Sequence, residues 1–395
     1  MPTRRDRPGP RALAYAVAPG LNSGMGHHAA QVLAACATAQ TPLLLLGPRP
    51  TNGASGVELR TPPPLVAGWR RRYTWLRYLH GRDQFLSDRR FGRWLASQVQ
   101  QELSGCYLFT QVAREALLEL NRRNVPSLLD SPNGHIRHFR EAVQQEAARW
   151  LSGRYPGHPT VAMVNRVEDE YRLASHIRVA SHWAAQSLTD RGVARDRVSA
   201  VSHSVDLERF TPDETRTAAP DVLRIVFVGG LTLGKGFAYL LTAIRALRTR
   251  RITLEIVGGT GDPWCRRLFD RLRSNMDVTL APGDPVAAYR RADLLVLPTL
   301  HDGFGYVIAE AMASGVPVVT TSCCGAAEWI EPEVSGWVVP AGNQDALTAA
   351  IDTAAANRSR LRDMGRHGRR TAEERARAAV AELQRLVGAT LPPAK

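Results

Sequence analysis

Along most of the chain, short apolar runs alternate with stretches whose apolar positions recur every three or four residues. The first pattern predicts buried β-strands and the second amphipathic helices, and their alternation predicts parallel sheets with helices on both faces. In the first half the expected strands are Leu13–Val17, Leu43–Leu46, Cys106–Phe109, Ser127–Leu129, Ile177–Ala180 and Val198–Val201. Helices are expected at Ala29–Ala39, Phe91–Leu103, Arg114–Arg122 and Ala184–Asp190. The second half has clearer punctuation. Strands are predicted at Arg224–Val228, Thr253–Val257, Val278–Leu280, Leu294–Leu297 and Val316–Thr320, with helices at Ala238–Arg248, Trp264–Arg273, Val286–Arg291, Val307–Ser314 and Ala346–Ala355.

Periodicity lapses between Thr211-Pro212-Asp213 and Ala218-Ala219-Pro220-Asp221, where turn formers gather. Two Rossmann-like domains with parallel sheets facing across a cleft are therefore expected. Their spans would be residues 1–210 and 211–370, followed by a helix or tail over 371–395 that returns toward the first domain. The Ala/Arg-rich part of that tail, 366–381, reads as a solvated helix because no wide apolar face is evident.

Length and composition narrow the class. At 395 residues the chain exceeds one hydrophobic core, and 44% hydrophobic content is that of a globular protein. No run approaches the roughly 20 apolar residues of a membrane span. The arginines before Ala12–Ala18 look like the start of a signal peptide, but the apolar stretch ends at Pro19-Gly20, which suits a first strand better. Five cysteines without a C-x-x-C pair suggest neither a disulfide framework nor a zinc site, so a reducing cytoplasm is expected. The net charge of +14 is lopsided: residues 1–205 hold 27 basic against 15 acidic side chains, and 206–395 hold 24 against 22. Lysine occurs only at Lys235 and Lys395, so arginine is the default cation and Lys235 stands out.

Candidate chemistry gathers at strand ends, where open parallel sheets bind ligands. Leu294–Leu297 leads through Pro298 and Thr299-Leu300-His301-Asp302-Gly303-Phe304-Gly305 into a helix that carries Glu310. The bare backbone at Gly303 and Gly305 suits a diphosphate at a helix N-terminus, and Glu310 suits a ribose diol. A plain turn capped by Asp302 is the competing reading. Arg224–Val228 leads into Gly229-Gly230-Leu231-Thr232-Leu233-Gly234-Lys235-Gly236, where the rare lysine would meet a leaving diphosphate; an ordinary surface lysine is the alternative. The spacing is not that of a Walker A loop.

The stretch Asp302-Gly-Phe-Gly-Tyr-Val-Ile-Ala-Glu310-Ala-Met-Ala-Ser-Gly-Val-Pro-Val-Val resembles the signature of glycosyltransferase family 4, retaining enzymes of the GT-B fold. The likeness extends to Phe227–Gly236, to His203-Ser-Val-Asp-Leu-Glu-Arg-Phe-Thr-Pro212, to Gly325–Glu328 and to Ser335–Pro340. It is close over residues 165–345 and loose before them. The resemblance implies an α/β protein of GT-B type that transfers a hexosyl unit from a nucleoside-diphosphate sugar to a hydroxyl of a saccharide, lipid-linked glycan or small metabolite. Retention of anomeric configuration and no metal or other cofactor are implied as well. Lys235 and the Gly303–Gly305 amides would hold the diphosphate, with Gly229, Gly230 and Phe304 lining the donor site. Glu310 would hold the ribose and Asp302 the sugar hydroxyls. Two departures stand out: Asp302 replaces the usual glutamate, and Gly230 stands where an arginine is common.

In the first half, Gly24, Gly26 and His27 form a glycine-rich turn that would face the acceptor; a plain βα turn is the alternative, and adjacent histidines make a poor metal site. His135, beyond Ser127–Leu129, matches the family's active-site histidine, which would hold sugar or acceptor; a helix cap is the alternative. Residues 69–94 hold eight arginines and seven aromatics against Asp83 and Asp88. That composition suits an anionic membrane surface near a lipid-linked acceptor, nucleic acid less, or simply a solvated helix pair. The protein would then sit at the inner face of the membrane as a peripheral protein. A sugar-nucleotide epimerase on the same architecture, and a basic membrane- or nucleic-acid-binding Rossmann protein, are the other functions considered.

Overall fold

The computed structural model of the chain describes residues 11–14, 24–36, 43–46, 57–62, 82–99, 103–153, 155–213, 215 and 221–391. The chain forms two compact units that interleave in sequence. The first takes in residues 1–137, 156–201 and 379–395, and the second 138–155 and 202–378.

In the first unit the strands are β1 (Arg11–Ala14), β2 (Leu43–Leu46), β3 (Val57–Arg60), β4 (Gly105–Phe109), β5 (Ser127–Ser131), β6 (His176–Val179) and β7 (Val198–Ala200). They lie in the order β3-β2-β1-β4-β5-β6-β7, and every pair is parallel. Helices α1 (Gly24–Cys36), α2 (Arg82–Gln98), α3 (Arg114–Arg122), the start of α4 (Ile136–Leu151), α5 (Val161–Leu173) and α6 (His182–Thr189) complete it. Successive strand residues point to opposite faces. Accordingly Leu108 and Leu129 enter a core with Leu95, Leu117 and Ile177, while their neighbours Tyr107 and Leu128 enter a second core with Val32 and Cys36.

The second unit holds β8 (Leu223–Val228), α7 (Phe237–Ala246), β9 (Ile252–Val257), α8 (Pro263–Leu272), β10 (Val278–Ala281), α9 (Val286–Arg291), β11 (Leu294–Leu297), α10 (Tyr306–Ala313), β12 (Val318–Thr321), β13 (Gly336–Val339) and α11 (Gln344–Ala356). Its sheet is also wholly parallel, ordered β10-β9-β8-β11-β12-β13. The order reverses between β8 and β11, so the loops after these two adjacent strands flank the switch point where such sheets bind ligands.

Most of the expected strands and helices recur with ends shifted by a few residues, while the helix expected from Phe91 begins at Arg82 and the expected residues 15–17, 37–39 and 100–102 lie outside the described residues; β3, α4, α5 and β13 were not anticipated. The buried face of α5 includes Arg166 and Glu170 beside Met163, Val167 and Tyr171, so its apolar stripe is broken by charge. The edge strand β3 exposes Glu58. A correction concerns the tail. Helix α12 runs Arg358–Thr390 and has a buried stripe of Leu361, Met364, Ala372, Ala376, Ala379, Leu383 and Val387. It is narrow and three of these seven residues are alanine, which is why it passes for a solvated helix in sequence. Leu383, Val387 and Leu391 join the second core of the first unit.

Candidate functional site

The two glycine-rich loops of the second unit are tied together at the switch point. The Gly234 carbonyl accepts from the Leu300 amide at 2.8 Å and from Thr299 Oγ1 at 2.9 Å. Gly236 packs so closely on the next loop that a Cβ there would lie 1.9 Å from the Pro298 carbonyl oxygen, and its φ is +72°. Only glycine meets both conditions. This weld brings Lys235 against Asp302: the ammonium donates to Asp302 Oδ2 as an ion pair. Burial alone pushes the lysine pKa down, but the Asp302 carboxylate outweighs it and holds it above the ordinary value, so the side chain stays charged. Its side chain is still 33% exposed.

Beyond Asp302 the chain is held by β12's following turn. The Asp302 amide donates to the Cys323 carbonyl at 2.9 Å, and the Gly325 amide donates back to the Asp302 carbonyl at 2.9 Å. Gly305 begins α10 at φ +82°, where a Cβ would lie 2.6 Å from Cys324 Sγ. That thiol donates to the Phe304 carbonyl at 3.2 Å, and burial followed by the nearby Asp302 pushes its pKa up to about 12. The Phe304 ring turns into an aromatic group, edge-on to His203 and Trp329 at 5.2 and 5.3 Å, with Tyr306 stacked on His203 at 4.6 Å. It therefore shapes the loop from beneath. Gly229 continues β8 with φ +141°, and a Cβ at Gly229 or Gly230 would meet nothing closer than 3.9 Å, which leaves their backbone open to approach.

Glu310, one turn into α10, is buried and accepts from Tyr289 Oη at 2.9 Å. Burial pushes its pKa up to about 7, against the pull of that hydrogen bond and of Arg209. Tyr289, Arg209 and Asp284, which surround it, were not singled out in the sequence. Tyr289 lay inside an expected helix, and Arg209 inside the quoted segment His203–Pro212.

In the first unit, the backbone of Gly24, Gly26 and His27 forms the first turn of α1, while Asn22 and Ser23 lie outside the described residues. One residue on, His28 Nε2 lies 2.7 Å from Asp130 Oδ2 at the end of β5. Tyr107 donates to the same carboxylate, and Arg178 Nη1 reaches both its oxygens at 3.2 and 3.3 Å. All four side chains are buried. Burial opposes ionisation of Asp130, yet Arg178, His28 and the hydrogen bonds prevail and hold its pKa at about 2. His135 is buried too. Its Nδ1 accepts from the Arg137 amide at 3.2 Å, capping α4, and its Nε2 lies 3.8 Å from Glu168. Of the basic aromatic stretch, residues 69–81 lie outside the described residues, and the remainder belongs to α2.

Residues 223–357, which span these loops and Glu310, match the family described as glycosyl transferases group 1. That segment is a glycosyl transferases group 1 domain. The chain is 30% identical to the MMP alpha-(1->4)-mannosyltransferase of Mycolicibacterium hassiacum over 271 residues, 65% of this chain and 63% of the relative. An uncharacterised glycosyltransferase of Methanocaldococcus jannaschii is 36% identical over 141 residues, 33% of this chain and 35% of the relative. The chain thus spans from about a third to under two thirds of the curated relatives it matches. In fold, sucrose-phosphate synthase from Thermosynechococcus elongatus superposes with a TM-score of 0.72 at 19% identity, covering 96% of this chain and 98% of the other. The group 1 domain and the parallel sheet of the first unit together give the chain a GT-B type α/β fold.

Proposed function

We propose that the protein transfers a hexosyl unit from a nucleoside-diphosphate sugar to an acceptor hydroxyl, with retention of anomeric configuration and without a bound metal. The observation that carries this reading is the meeting of Lys235 and Asp302 at the switch point, inside a group 1 domain that also carries Glu310. The lysine and the amides of Gly303–Gly305, with the open backbone at Gly229 and Gly230, would neutralise the leaving diphosphate. Glu310 would accept from the ribose, and Asp302 from the sugar hydroxyls. Anabaena HepE, whose structure has been solved with UDP and glucose and with UDP-glucose, shares the fold at TM-scores of 0.64 and 0.63 respectively, which supports a nucleotide-sugar donor. His135 would hold the sugar or acceptor, with its Nδ1 also accepting from the Arg137 amide.

Thermal shift against UDP-, GDP-, ADP- and dTDP-sugars identifies the donor, and transfer is then assayed with it. Glu310→Ala abolishes transfer and weakens donor binding with the fold intact; near-normal turnover in that variant rejects the site. An epimerase would instead interconvert free sugar nucleotides with no acceptor present.

The proposal includes a glycan or lipid-linked acceptor and contact with an anionic membrane. No described helix is long and apolar enough to cross a membrane. Helix α2, however, presents Leu86, Arg89, Arg90 and Arg93 at helical spacing, all exposed, with Phe91 and Leu95 buried behind them. Flotation with vesicles of anionic lipid checks it: salt-sensitive binding that falls in Arg89→Glu/Arg93→Glu is expected, and no binding rejects it.

A further inference from the structure

Tyr289 is fully buried on α9, with its ring edge-on to Phe210 at 6.0 Å. Its hydroxyl has a single proton and faces two acceptors, Glu310 Oε2 at 2.9 Å and the Val307 carbonyl at 3.3 Å. The shorter contact is to the carboxylate. Among the described residues the charged groups facing Glu310 are Arg209, on the segment after β7, and Asp284, just before α9. These two pair with each other, Arg209 Nη2 to Asp284 Oδ2 at 2.9 Å. A buried phenol, a buried carboxyl and an ion pair from three separate stretches of chain therefore converge on one atom group.

We propose that Tyr289 is a positioning residue for the nucleotide, pinning Oε2 of Glu310 so that Oε1 is held as an acceptor for the ribose hydroxyls. The proposal rests on the donor reading given above. A carboxylate offers acceptors only and accepts more strongly than the neutral acid, one of whose oxygens becomes a donor, so two ribose hydroxyls are held more tightly by the ionised form. The phenol favours that form because it donates to it. Burial works the other way and brings the Glu310 pKa up to about 7, with Asp284 adding to the rise and Arg209 opposing it. Ribose recognition is thereby set to switch on across neutral pH, and Tyr289 and the Arg209–Asp284 pair set where.

The test measures the pH dependence of binding for whichever of UDP-, GDP- or ADP-glucose most raises the melting temperature of the wild type. Wild-type affinity climbs through pH 7 and levels off above it. In Tyr289→Phe the climb moves to higher pH by up to about one unit, so binding is about fivefold weaker at pH 7 and nearly equal to wild type by about pH 9. Asp284→Asn moves it to lower pH. A purely structural role for the phenol would weaken binding by one factor at every pH, and parallel curves overturn the proposal. If none of the three nucleotide sugars binds the wild type, the donor reading fails instead. The carboxyl is then followed in the ligand-free protein by infrared difference titration, with Glu310 assigned by its loss in Glu310→Gln. The same midpoint in wild type and Tyr289→Phe overturns the positioning role; a higher midpoint in the variant supports it.

Discussion

At Gly236 the backbone turns through a φ of +72° directly beneath the Pro298 carbonyl. Alanine there carries the cost of a left-handed conformation and must also push two strand-end loops apart. Gly236→Ala is expected to lose about 2 kcal/mol or more of stability and to separate Lys235 from Asp302. Urea unfolding checks the first part, and a variant as stable as wild type refutes it. Residues of this kind are legible in sequence when rarity or spacing exposes them. Lys235 stood out as the sole internal lysine, and Glu310 by its place in the helix that follows the Asp302–Gly305 loop. Tyr289 and His28 did not, because what they touch is set by the fold: His28 meets Asp130 across 102 positions of chain. His135 was found by motif, and its Nδ1 accepts from the Arg137 amide.

Among the elements, β5 and α1 depend on a buried charge group more than their apolar patterns suggest. Arg178 and Asp130 are both wholly buried, and removing the arginine leaves the buried carboxylate to its contacts with His28 and Tyr107. Arg178→Met is expected to cost about 3–5 kcal/mol, read by thermal or urea unfolding, and a loss below 1 kcal/mol would contradict the role given to the pair. The pH sign follows from Asp130, whose folded pKa of about 2 lies below its unfolded value near 3.9. Its contribution is complete above about pH 4 and is lost as pH falls toward 2. Asp130→Asn should flatten that part of an acid-unfolding curve. Elements α4 and α5, and the buried face of α12, escaped the sequence pattern for one shared reason: their inward faces mix alanine or charge with the apolar residues. The clean strands of the group 1 domain, such as Leu294–Leu297, are buried on both faces and need no partner to be recognised.

For the whole molecule, the two parallel sheets follow from the alternation of strand and helix, but the place of residues 138–155 in the second unit does not. Residues 379–395 belong to the first unit although they follow the second in sequence, because Leu383, Val387 and Leu391 fill a core with Val32, Cys36, Tyr107 and Leu128. Truncation after Ala378 uncovers those side chains. Calorimetry is expected to show the first unit melting at lower temperature; on the donor reading proposed above, nucleotide-sugar binding is retained. A truncated protein with an unchanged melting profile would show that the tail adds nothing to that core.

Lys235 meets any incoming anion with a counterion already in hand. Phosphate or pyrophosphate must compete with Asp302 for the ammonium and offers the displaced carboxylate nothing in return. On the donor reading, a ligand that brings sugar hydroxyls along with its diphosphate satisfies both groups together. Asp302 thus acts as a tethered rival that raises the threshold for small anions, so that in Asp302→Asn the gap in affinity between a nucleotide sugar and inorganic pyrophosphate should narrow.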